Sequence, residues 1–152
     1  TFNGALLDWA WGGLGVAAPV TITVGWADVG WVRGFQIGED ADDGPSFRWA
    51  GPGTQSALRL QHPAPGSRLL LTMHSLPPPA PAPPTRAVTV AVAGHVLATL
   101  EVAPTWTSYP LTLPAALPAG DLVVTFTSPP QPASATDPRR LSFALQQAWW
   151  GP

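Results

Sequence analysis

The sequence predicts an all-β domain, a β-sandwich or jelly roll of about nine or ten strands. Three observations predict it. Proline occurs along nearly the whole chain, apolar residues alternate with a period of two, and the apolar segments are short and regularly spaced. The chain has 152 residues and 20 Pro, and an interior proline costs a helix about 3 kcal/mol. The longest proline-free run, residues 20–44, is broken by Gly25, Gly30, Gly34 and Gly38. No segment keeps a helical period over several turns.

The clearest strand is 86–93, where Val88, Val90 and Val92 share one face. Gly94-His95 then suits a type II′ hairpin turn, with 96–102 as the return strand. Residues 109–113 and 121–128 read as a second pair, with Tyr109, Leu111 and Leu113 on one face of the first and Leu122, Val124 and Phe126 on one face of the other. The Pro-, Ala- and Gly-rich segment 114–120 is the loop between them. Further strands are expected at 20–24, 32–37, 47–49, 57–61, 68–75 and 141–149. Leu69-Leu70-Leu71 is a continuous apolar run, which predicts a mid-sheet strand covered on both faces. Residues 76–85 carry six Pro and predict a stiff polyproline II bridge. Residues 129–138 form a second long loop. The chain thus divides into an N-terminal extension or edge segment, 1–19, and a sandwich, 20–152.

Composition narrows the function. Charged residues make up 11% of the chain and net charge is -2. A surface of Thr, Ser, Ala and Pro suits a position beside a membrane or against partner subunits. There is no Lys and the seven Arg are scattered, which argues against nucleic acid as a partner. With no Cys there is no disulfide framework and no thiolate metal site. No apolar run reaches the roughly 18 residues of a membrane helix. No leader is legible, and the abrupt ends read as those of a processed chain or of a piece whose anchor lies beyond them.

Eight Trp are the most functional-looking feature. A Trp ring is an apolar plate with one N–H donor, and an exposed one can stack on the C–H face of a sugar. Core packing and subunit contact are the competing uses of the same plates. Trp26, Trp31, Trp49 and Trp106 are the candidate platforms, with Glu39 and Arg48 as hydrogen-bonding partners or as an ion pair locking a hairpin. Asp137 and Arg139 are a second candidate pair. Trp9, Trp11, Trp149 and Trp150 are the candidate interface residues. In a strand, Trp149 and Trp150 point to opposite faces.

Asp40, Asp42 and Asp43 offer oxygens that could hold Ca²⁺, but their spacing is not that of an EF-hand, and a solvated, Gly-terminated hairpin loop explains them better. Otherwise no cofactor is expected. His62, His74 and His95 have no metal-ligand spacing and read as surface or hairpin residues. There is no Gly-x-Ser-x-Gly, phosphate loop or zinc signature, and nothing singles out a carboxylate pair for glycoside hydrolysis. The chain is therefore not expected to be an enzyme.

Gly34-Phe35 followed by Glu39, then Phe47-Arg48-Trp49, Ala57-Leu58-Arg59-Leu60, Trp106, Tyr109 and Asp137-Pro138-Arg139-Arg140-Leu141 resemble an extracytoplasmic module of Chloroflexi-type membrane glycosyltransferase-like proteins. The resemblance runs from Val20 to the C-terminus. Gln36 stands where that pattern has an aromatic residue, and Ser142 where it has Gly; both bear on a shared ligand site more than on the fold. The resemblance implies a jelly roll similar to carbohydrate-binding modules, outside the cytoplasm and tethered to a membrane parent. The expected function is a non-catalytic glycan-binding or accessory module of a membrane or surface protein. The alternative is a structural subunit of a filament, sheath or membrane complex, joined to neighbouring subunits through its Trp-rich ends.

Overall fold

The computed structural model describes residues 19–25, 28, 30–41 and 44–152. In chain order the strands are β1 (Val20–Thr23), β2 (Val32–Arg33), β3 (Glu39–Asp40), β4 (Ser46–Trp49), β5 (Gln55–Leu60), β6 (Arg68–Ser75) and β7 (Arg86–Val92), then β8 (His95–Val102), β9 (Thr107–Thr112), β10 (Leu122–Thr127), β11 (Gln131–Pro132), β12 (Arg140–Leu141) and β13 (Phe143–Gly151). All ten expected strands are present among the described residues, and three two-residue strands, β3, β11 and β12, join them.

A six-stranded sheet runs β3-β4-β13-β6-β9, with β1 also pairing β13. A five-stranded sheet runs β2-β5-β10-β7-β8, and β11 and β12 form a small ribbon. The two large sheets close on one apolar core. Leu69, Leu71, Met73, Phe143, Leu145 and Trp150 enter it from one side; Leu58, Leu60, Val88, Val90, Val124 and Phe126 enter from the other. Phe35 caps this core, edge-on to Phe126 and Phe143 at 6.5 and 6.0 Å.

Three expectations about connectivity are corrected. The β7–β8 hairpin closes on Val92↔His95, so its central residues are Ala93 and Gly94, not Gly94 and His95. Both have positive φ, 46° and 81°, the type I′ pattern whose twist matches the flanking strands. Strands β9 and β10 do not pair; β9 lies beside β6 in one sheet, and β10 lies between β5 and β7 in the other. Alternation demands only that both strands face the core, and two strands on opposite walls satisfy it as well as two neighbours. Finally, β6 is mid-sheet as expected, but Leu70 points away from the core and is only half-buried.

The proline-rich bridge leaves β6 in one sheet and enters β7 in the other. Arg86, 7% exposed, fixes its start by donating to the Leu76 carbonyl at 2.9 Å, and it also donates to the Pro129 carbonyl and the Gln131 side chain. A buried guanidinium needs such acceptors, and burial lowers its pKa.

Candidate functional site

The side chains on the outer face of the six-stranded sheet follow from strand parity. Pairing of β13 with β6 sets Leu145, Ala148 and Trp150 inward, opposite Met73, Leu71 and Leu69. Ala144, Gln147 and Trp149 therefore point outward, opposite His74, Thr72 and Leu70. A β-bulge between Leu145 and Gln147 keeps both halves of the long strand in phase with the core. Continuing across the sheet, Thr72 and Leu70 lie beside Ser108 and Pro110 of β9.

One end of this face is an open apolar groove of about 330 Å³ formed by Trp149, Leu70, Pro110, Gln147 and Arg68. Gly151 gives Trp149 its posture. A Cβ at position 151 would stand 3.2 Å from Cη2 of Trp149 and 3.0 Å from Pro19 Cβ, inside normal contact. Glycine leaves the space in which the indole lies along the strand, and one side of the ring borders the groove. Among the described residues Arg68 has no ion-pair partner, so a guanidinium stands beside the plate. In the middle of the face, Thr72 Oγ1 and Ser108 Oγ share a hydrogen bond of 2.9 Å.

The other end is a closed aromatic cluster. Ala144 pairs with both Trp49 and His74, and its methyl group leaves room for rings to meet above β13. His74 lies 4.8 Å from Trp49 and 4.2 Å from Trp106, and Phe47 lies 5.4 Å from Trp106, all steeply inclined. Edge-to-face contact is favourable for aromatic rings, but it covers ring faces. Trp49 and Trp106, expected as platforms, are each half-buried here and lock one another through His74. His74 is thus a packed residue, not the surface residue expected. Burial lowers its pKa, against the raising effect of the Ser75 carbonyl.

The expected Glu39–Arg48 pair does not form. Glu39 is opposite Phe47 in the β3–β4 register, so it shares the outer face with Phe47 while Arg48 turns inward. Arg48 instead grips Asp28, with Nε and Nη2 each 2.8 Å from a carboxylate oxygen and Nη1 2.8 Å from the Gln36 carbonyl. Asp28 is fully buried. Burial pushes its pKa up, but the Arg48 hydrogen bonds, the Gly25 N–H and the Arg48 charge together hold it below the ordinary value. With its donors occupied and its side chain 15% exposed, Arg48 serves the fold and not a ligand.

Glu39 accepts from Arg139 at 2.8 Å, and Asp137 takes the rest of that guanidinium. The expected Asp137–Arg139 pair is therefore present, extended by Glu39. Hydrogen bonds from Arg139 lower the Asp137 pKa, and those to Asp137 and Glu39 raise that of Arg139.

Trp31 lies away from the aromatic face. It stands at the open edge near β1, half-buried, with the Arg59 guanidinium 4.8 Å from its ring centroid. Trp150 is 3% exposed and belongs to the core, so it has no surface to offer a neighbour and its assignment as an interface residue is corrected. Trp9, Trp11, Trp26, Asp42 and Asp43 lie outside the described residues. Asp40 is in β3, opposite Ser46.

Sequence reasoning missed Arg68, Leu70, Pro110 and Gln147 as groove residues, and Phe47 and His74 as cluster residues. The legible signal was the middle residue of Leu69-Leu70-Leu71, which parity forces outward beside Trp149.

No protein-family model matches the chain, and no curated protein matches it. Solved structures share its fold. The C-terminal CBM6 of LamC, a marine laminarinase from Zobellia galactanivorans, is 11% identical over 89% of this chain and 100% of that one, with a TM-score of 0.55. The CBM36-1 domain of a multidomain xylanase from the hindgut metagenome of Trinervitermes trinervoides is 9% identical over 89% and 98%, with a TM-score of 0.54. SsfX3, a salicylyl-acyltransferase from a tetracycline biosynthetic pathway, is 18% identical over 88% of this chain but only 39% of its own, with a TM-score of 0.54. The fold class expected from the sequence is thus the observed one: an all-β sandwich of the kind found in carbohydrate-binding modules.

Proposed function

We propose that this chain is a non-catalytic glycan-binding module whose platform is Trp149. The observation that carries the reading is the posture of that ring, laid along β13 over Gly151 and bordering a groove of about 330 Å³ with Arg68 and Gln147 at hand. An apolar plate beside a few polar groups is the composition that holds a sugar ring. Likeness to structures named as carbohydrate-binding modules supports it; a location outside the cytoplasm on a membrane-tethered parent is part of the same proposal. Fold likeness alone also accompanies other activities, so the site carries the proposal.

Titration calorimetry with a panel of gluco-, xylo- and manno-oligosaccharides tests it. Trp149→Ala is expected to weaken the best ligand at least about tenfold, since it removes a buried aromatic contact. Trp106→Ala, in the closed cluster, is expected to change affinity far less. Equal losses in the two variants, or no ligand in the panel, would reject the site.

The exposed parts of Leu70 and Pro110 in the same groove favour one second reading, a face that buries against a neighbouring copy in an assembly. Sedimentation over a range of concentrations separates the two. A monomer that binds oligosaccharide supports the module; association abolished by Trp149→Ala without glycan binding supports the subunit.

A further inference from the structure

The outer face of the five-stranded sheet has a different chemistry. Parity places Arg33 beside Ala57, and Ala57 beside Thr125; one row along, Arg59 lies beside Val123. Ala57 has only a methyl group, so the longer side chains around it enclose a hollow. Two adjoining depressions, of about 80 and 310 Å³, share Arg33, Ala57 and Val123 as walls. Trp31 closes one end, its ring under the Arg59 guanidinium at 4.8 Å.

The charges here are unbalanced. Arg33 is exposed and has no ion-pair partner among the described residues. Arg59 is 45% exposed and only loosely held, with Nε 3.7 Å from Asp121, which also lies 3.6 Å from His62. Three other arginines contrast with this pair: Arg139 is held by two carboxylates, Arg48 by a carboxylate and the Gln36 carbonyl, and Arg86 by neutral acceptors. Val123, 42% exposed, adds apolar surface between the two guanidiniums.

We propose that this hollow is a second binding site, separate from the Trp149 groove, for an acidic saccharide whose ring carboxylate is held by Arg33 and Arg59. A guanidinium fork matches a carboxylate in two parallel hydrogen bonds. Val123 and the Trp31 edge supply contact for the C–H face of the ring that carries it. A simple anion would use the arginines and leave that apolar surface wet. A nucleic acid needs more phosphate contacts than two arginines on a chain of net charge -2 provide. The proposal goes beyond the Trp149 reading and can fail separately from it.

The test is titration of the whole chain with trigalacturonate, its methyl ester, a sulfated galactan tetrasaccharide and sodium acetate. Binding of trigalacturonate is expected, weakening as salt is raised, with little for the ester or acetate. Arg33→Gln and Arg59→Gln should each raise its Kd at least about tenfold, the scale of a lost charge-assisted hydrogen bond. Trp149→Ala should leave it unchanged. Both arginines are exposed enough for the variants to fold, which a thermal melt checks. Equal binding of acid and ester, unchanged Kd in either arginine variant, or no binding by the parent chain overturns the site. Loss in Trp149→Ala would move the ligand to the other face, and preference for the sulfated sugar would overturn the carboxylate assignment.

Discussion

On the six-stranded sheet the outward positions of the central strands include Trp149, Leu70 and His74, with Pro110 beside them on β9. On the five-stranded sheet the corresponding positions are Thr125, Ala91, Thr89 and Val123. The inward sets are alike in kind, with Leu, Val and Phe in both. Core formation thus constrains one residue in two and leaves the other free. The face where that freedom is filled with rings has a closed aromatic cluster and, at its other end, a half-buried Trp149 bordering an open groove; the face filled with small residues has a cationic hollow. Outward residues, not the fold, differentiate the two surfaces.

The comparison breaks most severely at Asp28. The Asp28–Arg48 pair ties the inner side of β4 to the turn after β1, and β4 carries Phe47 and Trp49 on its outer side. Removing one partner of a buried ion pair leaves the other charge uncompensated, at about 3–5 kcal/mol. Asp28→Ala is therefore expected to lower urea stability by that amount. Hydrogen exchange should rise along β3 and β4 while β7 and β8 of the other sheet stay protected. Uniform loss of protection, or a stability change within about 0.5 kcal/mol, would show that this pair does not hold the aromatic face in place.

A smaller effect sharpens the same contrast. Trp106 is half-buried and meets both Phe47 and His74. Trp106→Ala is expected to cost about 1–3 kcal/mol, less than truncating a fully buried aromatic residue. On the other sheet, Thr89 and Thr99 form an exposed cross-strand pair with hydroxyls 3.2 Å apart, and Thr99→Ala is expected to cost at most about 1 kcal/mol. Urea unfolding of the two variants side by side measures the difference. If the threonine variant is as damaging, the aromatic face adds nothing beyond ordinary strand pairing.

The same asymmetry explains what could be read from the sequence. Alternation in Arg86–Val92 and Leu122–Thr127 located those strands within a residue or so at either end, because half of each strand is fixed by the core. Sheet membership of Thr107–Thr112 was not legible, since facing the core does not name a neighbour. Nor could the partner of Arg48 be read. Asp28 lies 20 residues away, and only the path of the turn at Gly25 brings it there; a Cβ on Gly38 would stand 1.9 Å from the Gly25 carbonyl oxygen. Glu39 and Asp137-Arg139 stood out as charged residues in a charge-poor chain, but the contact joining them spans 100 positions. Trp150 and Trp149 were legible as opposite-facing. Which of them faced inward depended on a bulge the sequence does not announce.

The gentlest probe of the aromatic face is pH. His74 is surrounded by Phe47, Trp49 and Trp106, and its Nδ1 lies 3.3 Å from the Ser75 carbonyl. Desolvation disfavours the imidazolium and lowers its pKa in the fold below 6.5. Between that lowered value and 6.5 the unfolded chain binds more protons than the folded one. The stability His74 contributes is therefore full above pH 6.5 and falls as pH drops through 6.5 toward the folded value. Asp28 and Asp137 act in a separate window, because their lowered values place their loss of stability below pH 3.8. Urea unfolding at pH 8, 6 and 5 is expected to show a shallow decline that His74→Phe flattens while keeping a ring in the cluster. A decline of the same slope in both proteins would assign it to other groups, and the closed cluster would then have no proton-linked character.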